Sequence, residues 1–235
     1  MAFTLPSYVS LALEKLNNHG FEAYVVGGCV RDSLMGRAPN DWDITTDALP
    51  EQLLSTFAEY RVIPTGLQHG TVTVLIDDHP LEITTYRIDG TYSDNRHPDS
   101  VSFTRSLRED LARRDFTINA LAYHPQTGIV DHFSGLADLD NRQIVCVGDP
   151  EKRFTEDALR ILRALRFSAQ FGFPIEKMTA KAIHRLAPLL RRIAVERVQS
   201  ELVKLLCGEY VRDVMLAFPD VIGIILPEIV PTIGL

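Results

Sequence analysis

The stretch Val25-Val26-Gly27-Gly28-Cys29-Val30-Arg31-Asp32, followed nine residues later by Asp41-Trp42-Asp43, decides how the rest of the chain is read. β-branched residues running into paired glycines describe a strand that turns sharply into a helix start, where backbone N–H groups can approach an anion closely. Residues i and i+2 of a strand share a face, so Asp41 and Asp43 are expected to converge while Trp42 packs behind them. Two like charges side by side are costly unless a cation neutralises them, and carboxylate oxygens suit Mg²⁺. Two such acids on bridging metal ions can activate a hydroxyl and hold a leaving pyrophosphate. On these residues alone, two exposed aspartates at a loop edge are the alternative.

Three more segments bear on the same chemistry. Leu81-Glu82-Ile83 sets a third acid, Glu82, on the Thr84 face of a strand, where it is either a further catalytic carboxylate or a solvated edge residue. Arg113-Arg114-Asp115-Phe116-Thr117-Ile118-Asn119-Ala120 sets two arginines beside an Asp at an expected helix start. Guanidinium forks match phosphate geometry, although Asp115 could equally be the N-cap of a surface helix. The third segment runs from Glu156-Asp157-Ala158-Leu159-Arg160 through Arg163 and Arg166. At about 100° per residue, Ala158, Ile161, Leu162 and Leu165 form a buried stripe, and Asp157, Arg160, Arg163 and Arg166 wind along the other side. A solvated face with an i,i+3 ion pair is the ordinary explanation. Arginine without any lysine in residues 154–173 points instead to planar recognition.

Around these motifs the chain changes character near residue 148. Before it, β-rich runs at 24–26, 42–45, 61–64, 71–77, 81–86, 129–131 and 143–147 alternate with helical ones, and residues 77–80 read as a hairpin turn. After Asp149-Pro150 the pattern is helical, near 151–171, 176–188, 194–207 and 209–217, punctuated by Gly172-Phe173-Pro174 and Pro188. The expected architecture is an α/β head over residues 1–148, an all-helical part over 149–220, and an apolar connector over 221–235. The 235 residues, 46% hydrophobic, suffice for one large or two small cores. No apolar run is long enough to span a membrane. Residues 1–20 read as an amphipathic helix rather than a signal peptide. Three scattered cysteines without a Cys-x-x-Cys pair indicate neither a disulfide framework nor zinc, which fits the reducing cytoplasm. The net charge of −7 is unevenly spread: −9 over residues 1–139, +5 over 140–204 and −3 over 205–235. That distribution fits an acidic metal site accompanied by a phosphate-binding segment, or two ordinary solvated faces.

With the motifs in this order, residues 24–206 resemble the class II tRNA nucleotidyltransferases, the CCA-adding enzymes with their poly(A) polymerase relatives. The matching elements are Gly27-Gly28-x-x-Arg31-Asp32 with Asp41-x-Asp43, Arg113-Arg114-Asp115-Phe116-Thr117-Ile118-Asn119-Ala120, and Glu156-Asp157-x-x-Arg160. The resemblance implies a polymerase-β-like head with a mixed sheet and helices, then an all-α neck. It implies Mg²⁺ on Asp41 and Asp43. Gly27, Gly28, Arg31, Arg114, Asp115 and Asn119 would serve the nucleotide. Asp157 and Arg160 would read its base, and Arg163 and Arg166 would support triphosphate or neck geometry. The implied partners are ATP, CTP and the 3′ end of tRNA, with no membrane and no zinc.

Poly(A) polymerases of the family carry a Gly-Arg-Arg-Phe segment where this chain reads Pro64-Thr65-Gly66-Leu67-Gln68-His69-Gly70-Thr71, which favours tRNA as substrate. The full segment between Arg87 and Arg113 corresponds to the family's loop that switches from C to A, favouring CCA or A addition over CC alone. Relatives continue into body and tail domains, so the chain reads as a fragment. In some members a segment like Leu226-Pro227-Glu228-Ile229-Val230-Pro231 leads into an HD phosphohydrolase, but no His-Asp doublet occurs here. Rival readings are an A-only enzyme or poly(A) polymerase, a small-molecule nucleotidyltransferase, and a non-catalytic RNA-binding module.

Overall fold

A computed structural model describes residues 4–90 and 100–228, with Thr65 described by its backbone alone. The elements run α1 (Ser7–Asn18), β1 (Ala23–Val26), α2 (Gly28–Leu34), β2 (Asp43–Thr46), α3 (Pro50–Thr56), β3 (Arg61–Gly66), β4 (Thr71–Ile76), β5 (His79–Thr85), β6 (Arg87–Asp89), β7 (Val101–Phe103), α4 (Leu107–Ala112), β8 (Leu121–His124) and β9 (Gly128–Asp131). Helices follow: α5 (Gly135–Asp140), α6 (Pro150–Glu156), α7 (Leu159–Phe171), α8 (Lys177–Leu186), α9 (Val195–Leu206), α10 (Val211–Ala217) and α11 (Pro219–Ile225). The chain divides into two compact units, the first holding residues 4–90, 100–114 and 118–135, the second 115–117 and 136–228. None of the described helices is long and apolar enough to cross a membrane.

The first unit is built on a seven-stranded sheet in the order β3-β4-β5-β2-β1-β8-β9. All neighbours are antiparallel except β2 and β5, which run parallel. The alternation of β4, with Val72, Val74 and Ile76 buried between half-exposed residues, is the signature of a sheet with one face on a core. The tip of the β4–β5 hairpin is tighter than residues 77–80. Asp77 and Asp78 alone form it, at φ 49° and 62°, while His79 and Pro80 already pair with Ile76 and Leu75. Two left-handed residues in a two-residue loop match the twist of the flanking strands.

Three expectations are corrected. Residues 143–147 form no strand: Ile144 and Cys146 make only single bridges, and since these go to two different segments, at Ile175 and Phe116, no ladder builds up. The helix expected over 151–171 is two helices, broken at Asp157 and Ala158, where Asp157 is extended at φ −140°. Arg113-Arg114 stand at the end of a helix, not its start. Ser106 caps α4 by accepting from the Glu109 N–H, which starts the helix upstream and leaves Arg113 as its C-cap. Of the apolar segment 221–235, Val221 and Ile222 are fully buried within α11, and residues 229–235 lie outside the described residues, as do 1–3 and the 91–99 part of the expected switching loop.

Asp110 is the polar centre of the first unit. Its side chain is wholly buried. It accepts from Thr45 Oγ1 at 3.0 Å, from Arg113 Nε at 2.9 Å and from the Arg87 backbone N–H at 3.3 Å. It thereby ties β2, the start of β6 and the end of α4 together, and Arg113 is its counterion. Removing one member of a buried pair strands the other. Asp110→Ala is therefore expected to lower unfolding free energy by about 3 kcal/mol in a denaturant titration; a loss below about 1 kcal/mol would put the network on the level of a surface ion pair.

Candidate active site

Strand pairing fixes which residues of the first unit can act together. β1 ends at Val26 and turns at Gly27, whose φ of 86° is left-handed, before α2 begins at Gly28. β2 is antiparallel to β1, with Val25 opposite Ile44, so Asp43 starts β2 at the end where β1 finishes. β5 runs parallel to β2 with Glu82 opposite Asp43. Gly27, Gly28, Asp41, Asp43 and Glu82 therefore share one end of the sheet. Asp41 does not sit within a strand, as the sequence led us to expect. The ladder begins at Asp43 because β1 has already turned away, and Asp41 stands exposed ahead of it with Trp42 half-buried between.

The electrostatics single out Asp43. Burial, then the like charges of Glu82 and Asp41, push its carboxyl up to about 6 from an ordinary 3.8, against the opposing effect of Arg114. Arg114 owes its place to a glycine: a Cβ on Gly27 would lie 2.7 Å from its Nη1. Arg31, 7% exposed, donates from Nη1 to Asn119 Oδ1 at 2.5 Å and from Nε to Asp32 Oδ1 at 2.9 Å. Arg31 and Asn119 thus lock α2 to the segment leading into β8.

Among the described residues no group of three or more His, Cys, Asp or Glu side chains is arranged to hold a metal unaided. Mg²⁺ asks for less: one or two carboxylates, with waters and substrate phosphates completing the shell. Asp43, raised by burial and two carboxylate neighbours, is a donor that a cation would relieve, and the donor set is oxygen only. The nearby Cys29 thiol is pushed up to about 11 by burial and offers no thiolate at neutral pH.

The second unit holds the remaining motif residues, and there the arginines are not a solvated face. Asp115 accepts from Arg163 Nε at 2.7 Å and from the Phe116 N–H at 2.8 Å, and this carboxylate raises the Arg163 pKa. Arg160, 8% exposed, donates to Glu156 at 3.1 Å and to the Arg153 carbonyl at 3.3 Å. Arg166 meets Glu201 at 2.8 Å and lies over the Phe167 ring at 4.2 Å. Asp157 and Arg160 are not each other's ion partners. Asp157 Oδ1 accepts the Leu159 N–H at 3.0 Å, starting α7, and Oδ2 accepts from Arg197 at 3.0 Å. The sequence did not single out Arg197 and Glu201. Their i,i+4 spacing on α9 sets them on one face, a signal that becomes legible only once α9 is known to pack on α7.

Residues 23–145, more than half of the chain, match the family model described as the poly A polymerase head domain. Residues 172–229 match one described as the probable RNA and SrmB-binding site of polymerase A. The CCA-adding enzyme of Leuconostoc mesenteroides is 56% identical over 196 residues, which is 83% of this chain and 48% of that one. A crystal structure of the Bacillus stearothermophilus CCA-adding enzyme in complex with CTP superimposes with a TM-score of 0.84 at 42% identity, covering 92% of this chain and 53% of that one. The Thermotoga maritima CCA-adding enzyme complexed with tRNA gives 0.78 at 26% identity, covering 95% and 54%. This chain spans about half the length of the relatives it matches. It belongs to the CCA-adding enzyme and poly(A) polymerase family.

Proposed function

We propose that this chain is the nucleotidyl-transfer part of a cytoplasmic enzyme that adds CMP and AMP, from CTP and ATP, to the 3′ end of tRNA. The observation that carries this reading is the gathering of Asp41, Asp43 and Glu82 at the sheet end where the Gly27-Gly28 turn and Arg114 also lie. The complexes with CTP and with tRNA named for the two solved relatives support it. In this reading residues 1–148 are the catalytic head, 149–220 the neck that selects nucleotides, and 221–235 a connector.

The 3′-hydroxyl gives up its proton to solvent as its oxygen attacks the α-phosphorus, the bond to the β-phosphate breaks, and pyrophosphate leaves with the electron pair. Asp41 and Asp43 would hold Mg²⁺, with Glu82 adding negative charge beside them. Bound there, the ion would lower the hydroxyl pKa and neutralise charge on the leaving group. Gly27 and Gly28 let the backbone come near the triphosphate, and Arg114 contacts the nucleotide beside them. Arg31 and Asn119, bonded to each other, hold that loop in place.

Base choice falls to Asp157 and Arg160. Cytosine and adenine each present an exocyclic amine beside an acceptor ring nitrogen, so a carboxylate and a guanidinium can pair with either. Guanine and uracil present the reverse order and would leave buried groups unpaired. A carboxylate has about four lone-pair sites, so Asp157 can accept an amine while keeping Arg197 and the Leu159 N–H. Asp115, Arg163, Arg166 and Glu201 form the frame that keeps α7 in register for this.

Asp41→Ala and Asp43→Ala are each expected to abolish nucleotide incorporation onto tRNA while leaving the circular dichroism spectrum unchanged. Near-wild-type incorporation by both, with unaltered metal dependence, sinks the two-metal reading. Asp43→Asn separates the charge from the shape. Because the folded-state pKa is raised, the folded protein takes up this proton before the unfolded chain does. The stability cost of ionisation is thus absent below about pH 4 and complete above about pH 6. Without metal, the Asn variant should melt higher than wild type at pH 7.5 and converge with it by pH 4. A variant that melts lower at pH 7.5 contradicts a strained carboxylate.

For base choice, Asp157→Ala should reduce discrimination against UTP and GTP by about one to two orders of magnitude, from the roughly 1–3 kcal/mol carried by such a contact. An assay with each of the four NTPs reads this, and also separates CCA addition from A-only or poly(A) addition. Equal loss for all four nucleotides would remove Asp157 from the base-reading role.

A further inference from the structure

The two faces of the sheet in the first unit differ. Strand register places Asp43, Glu82, Thr73, Thr84 and Thr71 on one of them: Glu82 stands opposite both Asp43 and Thr73, and Thr84 opposite both Thr45 and Thr71. Over β4 and β5 that face is open. Thr71, Thr73 and Thr84 are half-buried and Glu82 is exposed, whereas Val72, Val74, Leu81 and Ile83, which point the other way, are fully buried.

The chemistry of transfer decides what comes to this open face. In-line displacement at the α-phosphorus sets the attacking hydroxyl and the leaving pyrophosphate on opposite sides. The Gly27-Gly28 turn and Arg114, which serve the triphosphate in the reading above, lie on the β1 side of β2. Strands β5 and then β4 lie on the other side. The terminal nucleotide of the acceptor is therefore brought in over β5 and β4, with its 3′-hydroxyl at Asp43 and Glu82. Residues directly opposite on neighbouring strands stand about 5 Å apart, and alternate residues of one strand about 7 Å. Thr84 and Thr71 are thus the next side chains of this face along the strands from Glu82 and Thr73.

Thr71 Oγ1 and Thr84 Oγ1 are 3.0 Å apart, and neither has a further partner among the described residues. One O–H is used within the pair, so the second is left to donate outward while lone pairs remain to accept. Thr45, by contrast, is buried and its hydroxyl is committed to Asp110 at 3.0 Å. A sugar hydroxyl, donor and acceptor at once, matches what the pair offers. A phosphate calls for cations and a base for an aromatic platform. Glu82, Thr84, Thr71 and Thr73 supply neither.

We propose that the Thr71–Thr84 hydroxyl pair, with Glu82 alongside, reads the 2′-hydroxyl of the acceptor's terminal ribose and makes the first unit selective for RNA ends over DNA ends. The inference rests on the nucleotidyl-transfer reading above and adds a discrimination of the acceptor sugar.

The test measures single CMP incorporation by the 235-residue chain on two hairpin acceptors that differ only in the terminal sugar, ribose or 2′-deoxyribose. Thr71→Val/Thr84→Val, which keeps side-chain shape and strand preference, and Thr71→Ser/Thr84→Ser, which keeps the hydroxyls, are compared with wild type. Wild type should favour the ribose end in kcat/KM by about five-fold or more, the worth of one hydrogen bond. The valine variant should lose that preference through the ribose acceptor alone, with the KM for CTP unchanged, and the serine variant should retain it. An equal loss on both acceptors marks a merely structural role and overturns the proposal, as does a wild-type chain indifferent to the sugar or a valine variant that keeps the preference. A wild-type chain that incorporates on neither acceptor defeats the nucleotidyl-transfer reading. Fluorescence titration of the same two hairpins then still decides the pair: tighter binding of the ribose end, erased in the valine variant, upholds it, and equal binding of the two ends by wild type overturns it.

Discussion

Everything at the candidate site depends on like charges being held together: Asp43 directly beside Glu82 across a parallel strand pair, with Asp41 just ahead in the chain. Nothing in a hydrophobic core asks for that arrangement. It is enforced by topology, since a parallel β2–β5 contact needs a crossover, and α3 with the β3–β4 hairpin arm supplies it. Arg114 offsets part of the repulsion from outside the sheet. It can do so only because Gly27 has no Cβ, at a position whose left-handed backbone already favours glycine. The glycine is thus read twice, once as a turn residue and once as the space for a guanidinium. Folding tolerates a locally unfavourable charge set where a ligand is to relieve it, which is where local rules are expected to fail.

The second unit solves the opposite problem. Its arginines are paired in charge one by one: Arg160 with Glu156, Arg163 with Asp115, Arg166 with Glu201. Planar guanidinium forks suit partly buried carboxylates better than ammonium groups do, and Arg163 and Arg166 also lie over the Phe167 ring. The absence of lysine in residues 154–173 is explained by these pairs, not by contact with solvent. The break at Asp157 belongs to the same design. By leaving the helix, Asp157 frees its carboxylate to cap α7 and to meet Arg197, and a continuous helix would have aimed it elsewhere.

Much of the first unit was legible in the sequence because its signals are local. Alternation in residues 71–76, the turn at Asp77-Asp78 and the double glycine each fix backbone without reference to distant residues. β8 was missed because Leu121–His124 is buried at every position, so no period of two survives to be read. Residues 143–147 have strand composition yet no ladder partner, which composition cannot reveal. α11 hid within an apolar run, although Pro219 at its first turn is a helix-start signal. At the site, the two aspartates and the paired glycines were visible from spacing. The partners of the arginines were not: Arg163 meets a carboxylate 48 residues away and Asp157 an arginine 40 residues away, and such pairings are set by packing alone.

The same distinction changes what the net charge says. A total of −7 argues against a nucleic-acid partner if charges are counted equally. They are not equivalent. The negative charge of Asp41, Asp43 and Glu82 is available to a cation, and that of Asp110, Asp115 and Glu201 is spent on internal arginines. The positive charge of Arg31, Arg163 and Arg166 is spent in the same way. What remains in the first unit is the acidic end of the sheet, where Arg114 offsets only part of the repulsion. That end is unfavourable to its own strands until a cation arrives. An overall negative charge is therefore no measure of which charges a partner would meet.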